Sequence, residues 1–324
     1  MDVTRRRFGT TPAGDLVELF TLTDPNGLVV KAMNYGATVV SLLAPDRHGA
    51  RADVVLGHAS LEAYLQDSRY LGAIVGRLAN RTSEARFRID GITYHLTANA
   101  GRHHLHGGLR GFDKVLWEAI PFSSAGAAGV TLRHTSPDGT EGYPGRLEVE
   151  VTYRVTERHE LIVDYRATTD KPTPVNLTHH GYFNLAGQGD VLGHSLRIDA
   201  DAYIPVDEAL IPTGTIAPVA DTSFDFRTPA PIGARGRVYD HSFLVRRNGP
   251  GLVHAARVAD PVSGRTLDVS TTEPTLHCYS GVVQGLALET QRLPDAMNQA
   301  AFPDPILRPG AEYRSRTVFL FGVE

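Results

Sequence analysis

Apolar side chains occupy every second position from Leu147 through Val149, Val151, Tyr153 and Val155, with polar neighbours between them. After the polar stretch TERHE the alternation resumes at Leu161, Val163 and Tyr165. A period of two with a short polar interruption predicts an antiparallel hairpin with one face buried. Strand-length runs recur in GLVVKAMNY, ARFRIDGITYHLT, GVTLRHTS, HSLRIDADAYIPV and RTVFLFGV, separated by turn dipeptides such as Asp90-Gly91, Asp138-Gly139 and Pro309-Gly310. Only SLEAYLQDS reads as a helix, a short one with Ser60 as its N-cap. The small-residue stretch SSAGAAG lies between two strand patterns and predicts a hairpin loop rather than a domain linker.

The 32 glycines and 20 prolines punctuate these many short strands, and no set of helices alternates with them as a parallel α/β fold requires. The expected fold class is all-β, a large antiparallel β-sandwich. A chain of 324 residues is long enough for more than one domain, but all-β units run long, so residues 1–324 are read as one.

Charge narrows the partners. The 32 basic and 36 acidic residues give a net charge of −4 and are scattered without like-charged runs, which argues against nucleic acid and anionic membranes. The opening TRRRFGTTPAG has the basic residues of an export signal but no apolar stretch behind them. No segment approaches the ~18 apolar residues of a membrane span. The single cysteine, Cys278, allows no internal disulfide, so a cytoplasmic location is expected, with the chain a monomer or weak homodimer.

Candidate chemistry follows from the same alternation. If residues 175–180 are extended, Val175, Leu177 and His179 share one face and Asn176, Thr178 and His180 the other. His180 is then available to a ligand and His179 joins the core. The rule likewise sets Glu289 opposite Leu286 and Leu288, His277 and Tyr279 opposite Leu276 and Cys278, and His104 with His106 opposite Leu105. A metal held by His104 and His106 needs a nearby carboxylate that GGLRGF lacks, so no metal is expected. Lys31, Lys114 and Lys171, the only lysines, lack the apolar setting of Schiff-base chemistry. No serine-nucleophile elbow, P-loop or dinucleotide fingerprint is present, so no cofactor is expected. Trp117 lies on a strand and is assigned to the core rather than to sugar stacking. What remains is a carboxylate, imidazoles and a guanidinium, a set suited to proton transfer.

GRLANR, LHGGLRGFDKVLW, NLTHHGYFNLAG, YDHSFLV, LETQRLPDAMNQ and LRPGAEYRSRT occur in that order, and the chain from about residue 30 onward resembles the aldose 1-epimerase (galactose mutarotase) family. The resemblance implies a mutarotase-like β-supersandwich that interconverts the α and β anomers of free hexoses without metal or coenzyme. Matched position by position, it implies His180 as general acid, Glu289 as general base, His106 as a second active-site histidine, and Asn80, Arg81, Asp240 and His277 as sugar-binding residues. Reference pKa values of about 4.3 for glutamate and about 6.5 for histidine suit those two roles near neutral pH. Two positions depart from the family pattern: His277 stands where glutamine is expected, and Gly181 where serine or threonine is usual. Two rival functions remain, a non-catalytic sugar-binding protein and a hexose-6-phosphate epimerase whose phosphate would be held by Arg77, Arg102 and Arg110.

Overall fold

The computed structural model describes residues 1–236 and 238–324. Three antiparallel sheets carry the architecture. A nine-stranded sheet runs in the order Glu118–Ser124, Ala127–Ser136, Leu147–Thr156, Glu160–Thr169, Tyr313–Val323, Arg265–Thr271, Val253–Ala259, Ser195–Ile198, Ala230–Pro231. A five-stranded sheet is formed in chain order by Asp2–Thr10, Leu16–Thr23, Val29–Met33, Thr38–Pro45 and Arg51–Asp53. The third, six-stranded, runs Tyr182–Phe183, Leu286–Gln291, Thr275–Tyr279, Asp240–Val245, Ala200–Tyr203, Ala217–Pro218.

The alternating hairpin forms as its pattern predicts, with Thr156 opposite Glu160 and Val151 opposite Tyr165. Its apolar face is buried and its other face largely is not, the one-sided arrangement that produces period-two patterning. Val149, Val151 and Tyr153 belong to one apolar cluster with Phe20, Leu22 and Val30 of the five-stranded sheet and Phe243, Leu276 and Leu288 of the six-stranded one. The core therefore joins all three sheets, the packing of a sandwich.

The short helix is Leu61–Gln66, with the Ser60 hydroxyl accepting from the Ala63 amide at 3.4 Å. SSAGAAG closes the hairpin between Glu118–Ser124 and Ala127–Ser136. Trp117 is in the core, its indole N–H donating to the Phe112 carbonyl. One run divides: HSLRIDADAYIPV holds two strands, Ser195–Ile198 in the nine-stranded sheet and Ala200–Tyr203 in the six-stranded one. The chain changes sheets at Asp199, whose carboxylate accepts from His254 at 2.7 Å. Asp2–Thr10 is a strand that no alternation announced, because most of its side chains are exposed on both faces; as an edge strand it carries Arg5, Arg6 and Arg7. Among the described residues no helix is long and apolar enough to cross a membrane.

Candidate active site

Neighbouring strands of the six-stranded sheet bring polar side chains into one row. Glu289 on Leu286–Gln291 is in register with His277 on Thr275–Tyr279, and His277 with Ser242 on Asp240–Val245. Asp240, two residues before Ser242, lies on the same face. The opposite face of these strands carries Leu276, Cys278, Leu286 and Leu288 into the core. Both faces are buried, so the polar row is not an ordinary solvated surface.

His180 reaches this row from another segment. Thr178–His179 pairs with Ile74–Val75, the Thr178 hydroxyl donates to the Thr290 carbonyl at 3.0 Å, and the His180 amide donates to the Ala73 carbonyl at 2.9 Å. These bonds tie His180 to the strand that holds Glu289. His180 Nε2 stands 3.5 Å from Glu289 Oε1, close but beyond a good hydrogen bond. His180 Nδ1 and Glu289 Oε2 are buried without a protein partner. Buried polar atoms are rarely left so, and two of them in one pocket point to a ligand. The adjacent His179 turns the other way, as alternation requires, and packs edge-on against Tyr153 and Phe319. Burial, reinforced by His180, lowers its pKa to about 3, so the ring is neutral.

Three aromatic residues that the motifs did not single out frame His180. Tyr182 stacks on His180 with centroids 5.0 Å apart, and Tyr70 lies near-parallel on the same ring at 5.8 Å. Tyr279 in turn meets Tyr182 edge-on. Tyr182 and Tyr279 were legible as i+2 neighbours of named site residues; Tyr70 had no signal, since it arrives on a turn with φ of 61°.

His106 departs from the alternation rule. Only His104–Leu105 is strand, and His106 has φ of 51°, so the chain leaves extended geometry between the two histidines. His104 does not enter the site: its Nδ1 pairs with the Thr97 carbonyl at 2.7 Å and its Nε2 with the Tyr143 hydroxyl at 2.6 Å. His106 does enter it, 5.2 Å centroid to centroid from His180. The Asn80 amide donates to His106 Nδ1 at 3.2 Å and the His106 amide donates to the Asn80 carbonyl at 3.1 Å. Burial, with His180 and Arg81 nearby, holds the His106 pKa well below its usual value. The ring is thus neutral, and with Nδ1 accepting, its proton sits on Nε2 as a donor. That tautomer bears on metal binding. The polar tips of His106, His180 and Glu289 lie within 4.8 Å of one another, a spacing a cation could bridge. Ligation through Nε2 would require moving the proton to Nδ1, against the Asn80 N–H, so the donor set does not suit a metal. The glycine after His106 has a backbone reason: at φ of 89°, a Cβ on Gly107 would fall 1.8 Å from the Gly76 carbonyl oxygen.

Asn80, at φ of 63°, caps the next amide by accepting from Arg81 N–H through Oδ1 at 2.8 Å. Left-handed backbone suits asparagine, and the neighbouring Arg81 side chain is thereby aimed at Asp240, 3.8 Å away. Asp240 Oδ1 is 2.8 Å from His277 Nε2. Burial would raise the Asp240 pKa, but the His277 bond and the charges of His277 and Arg81 outweigh it and hold the carboxyl below its usual range. His106, His180, Glu289, Asn80, Arg81, Asp240 and His277 all line one pocket of about 190 Å³. Typical drug-sized sites exceed about 300 Å³, so this one is in proportion with a single small ring. Three larger clefts, of about 590, 600 and 310 Å³, lie elsewhere and are lined by none of these seven residues.

The three arginines offered for a phosphate do not converge. Arg77 is buried and donates to the Ser136, Pro137, Pro144 and Gly145 carbonyls and to the Ser136 and Thr173 hydroxyls. Arg102 pairs with Glu84 on the surface, and neither it nor Arg110 lines the pocket.

A buried imidazole and carboxylate 3.5 Å apart, lining a small polar pocket on a β-sandwich, suit proton transfer to a small hydroxylated substrate. The aldose 1-epimerase family profile matches residues 18–320. The chain is 47% identical to galactose mutarotase of Rattus norvegicus, over 100% of this chain and 99% of that protein, and 41% identical to aldose 1-epimerase of Escherichia coli K12 over 97% of each. The crystal structure of an aldose epimerase homologue from C. elegans superposes with a TM-score of 0.89 at 31% identity, covering 94% of this chain and 98% of that one. The chain belongs to the aldose 1-epimerase family, and it is an isomerase of the mutarotase class.

Proposed function

We propose that this enzyme opens and recloses the pyranose ring of a free hexose, with Glu289 as base and His180 as acid. Glu289 takes the proton of the anomeric hydroxyl as His180 delivers one to the ring oxygen. The C1–O5 bond breaks, C1 becomes a carbonyl, and rotation about C1–C2 presents its other face. Reclosure returns each proton by the reverse path and gives the other anomer. The 3.5 Å approach of His180 Nε2 to Glu289 Oε1 carries this reading, because it puts both groups within reach of one ring in a pocket of one ring's size.

His106, as a neutral Nε2–H donor, holds a sugar oxygen without competing as an acid. Asn80, Arg81 and Asp240 orient the ring through its other hydroxyls, where charge-assisted bonds are strongest. Free glucose and galactose are the substrates this reading favours over 6-phosphosugars, since Arg77 is committed to backbone carbonyls. No residue here requires a metal, and dialysis against chelator is expected to leave the rate unchanged; a loss restored by a divalent cation would refute that part.

Polarimetry of freshly dissolved α-anomer tests the roles. Glu289→Gln and His180→Asn are each expected to lose about 10²- to 10⁴-fold in kcat, the range of one positioned proton-transfer group. Undiminished turnover in either variant would overturn its assignment. A binding-only protein on the same fold would leave the spontaneous rate unaltered in every case.

A further inference from the structure

We propose that His277 is a positioning residue of this isomerisation: its imidazole bridges Asp240 and Ser242 on one neighbouring strand, faces Glu289 on the other, and holds the Asp240 carboxylate toward the sugar. The inference rests on Glu289 and His180 being the acid–base pair, and it gives the histidine that replaces the expected glutamine a specific task.

The register places His277 between its two partners. Ser242 and Glu289 are its direct cross-strand neighbours, and directly opposed residues on one sheet face have Cβ atoms only about 4.5–5.5 Å apart. Both ring nitrogens are committed within the protein, Nε2 to Asp240 Oδ1 at 2.8 Å and Nδ1 to Ser242 Oγ at 2.9 Å. The Asn80 amide nitrogen lies 3.4 Å from Nε2, closing off that side. The ring is 4% exposed. His277 therefore lines the pocket with no nitrogen left to offer a sugar hydroxyl. Its effect reaches the substrate through Asp240, whose Oδ2 stands 3.8 Å from Arg81.

The bridge survives in either protonation state. Neutral His277 donates from Nε2 to Asp240 and accepts the Ser242 hydroxyl at Nδ1; protonated, it donates to both. Titration therefore changes the charge of the site without rearranging it. The charged groups facing the ring are Asp240, Glu289 and Arg81, while His106 is held neutral by its own burial. His180, protonated at the start of the proposed reaction, adds its charge to the same site, and loss of the His277 proton makes that site one unit more negative beside the base. Burial alone would lower the His277 pKa, but the bond to Asp240 and the charges of Asp240 and Glu289 outweigh it and leave it raised above 6.5.

The test compares His277→Leu and His277→Gln with the unaltered enzyme by polarimetry, taking KM and kcat from about pH 5 to 9. Leucine removes a hydrogen bond to a charged carboxylate, so KM is expected to rise about tenfold or more, with a smaller change in kcat. Glutamine can still donate to Asp240 and is expected to recover most of that loss. It cannot titrate, so the pH dependence that loss of the His277 proton is expected to give the unaltered enzyme should vanish. A leucine variant with ordinary KM, or a glutamine variant with the same pH profile, would overturn the proposal. If leucine prevents folding, imidazole ¹⁵N resonances of the full chain decide, with His277 assigned by its absence in His277→Gln. A proton on Nε2 is expected throughout that pH range, and a ring with an unprotonated Nε2 would refute the bridge to Asp240. Failure of the catalytic reading looks different: Glu289→Gln would then turn over normally, whatever the His277 resonances report.

Discussion

Gly181, directly after the proposed acid, stands where a hydroxyl-bearing residue is usual, and the ring of His179 is the physical reason it cannot here. A Cβ built on Gly181 falls 2.5 Å from His179 Cε1 and 3.1 Å from Nδ1. The ring cannot swing aside, because it is 2% exposed and meets Tyr153 and Phe319 at centroid distances of 6.0 and 5.8 Å. Gly181→Ala therefore overpacks a filled interior, at a cost of ~1–3 kcal/mol. An unfolding entropy of ~2.1 cal/mol/K per residue over 324 residues gives ~0.7 kcal/mol/K, so a 2 kcal/mol loss lowers Tm by about 3 °C. Displacement of the adjacent His180 from Glu289 is expected to lower kcat about tenfold or more, given the sensitivity of proton transfer to ångström shifts. His179→Ala empties the contested space, so the double variant should be more stable than the sum of its parts by ~1 kcal/mol or more. Thermal denaturation and polarimetry on the three variants measure both effects. Strict additivity, or a Gly181→Ala enzyme with native Tm and kcat, would refute the steric argument.

Arg77→Met strips the hydrogen bonds from the buried Ser136, Pro144 and Gly145 carbonyls and from that of Pro137, and is expected to cost at least ~3 kcal/mol, read as a Tm loss above about 4 °C, without altering discrimination between free and phosphorylated sugars. Gly107→Ala, forced 1.8 Å from a backbone oxygen, should fold poorly or lose activity outright, as soluble yield and polarimetry would show. The Asp240–His277 pair sets a pH window for stability. Asp240 is lowered from 3.8, so its contribution is present above that value and is lost as pH falls through the folded pKa. His277 is raised from 6.5, so its contribution is complete below that value and is lost as pH rises through the folded pKa. Denaturation midpoints of the unaltered chain minus those of His277→Gln should therefore be largest between about pH 4 and 6.5 and shrink on either side; a difference growing toward alkaline pH would contradict the pairing.

Alternation by itself determined the β class, the 147–165 hairpin and the division of His179 from His180, because a strand with one buried face writes its period into the chain, while the Ser60 cap marked the short helix. The same rule put His104 beside His106 and failed, since one left-handed residue ends the extended geometry on which it depends. The family motifs pointed to the proposed acid, the proposed base and the proposed sugar-binding set, but residue order holds no distances. Only the tertiary structure decided that residues 180 and 289 meet at 3.5 Å, that Tyr70 covers the imidazole, that the Asn80 amide chooses the His106 tautomer, and that Arg77 serves carbonyls rather than phosphate. Those facts arise where strands distant in the chain share a sheet and loops with positive φ fold over it, and the sign of a charge or the position of a proton there depends on neighbours that local sequence does not specify.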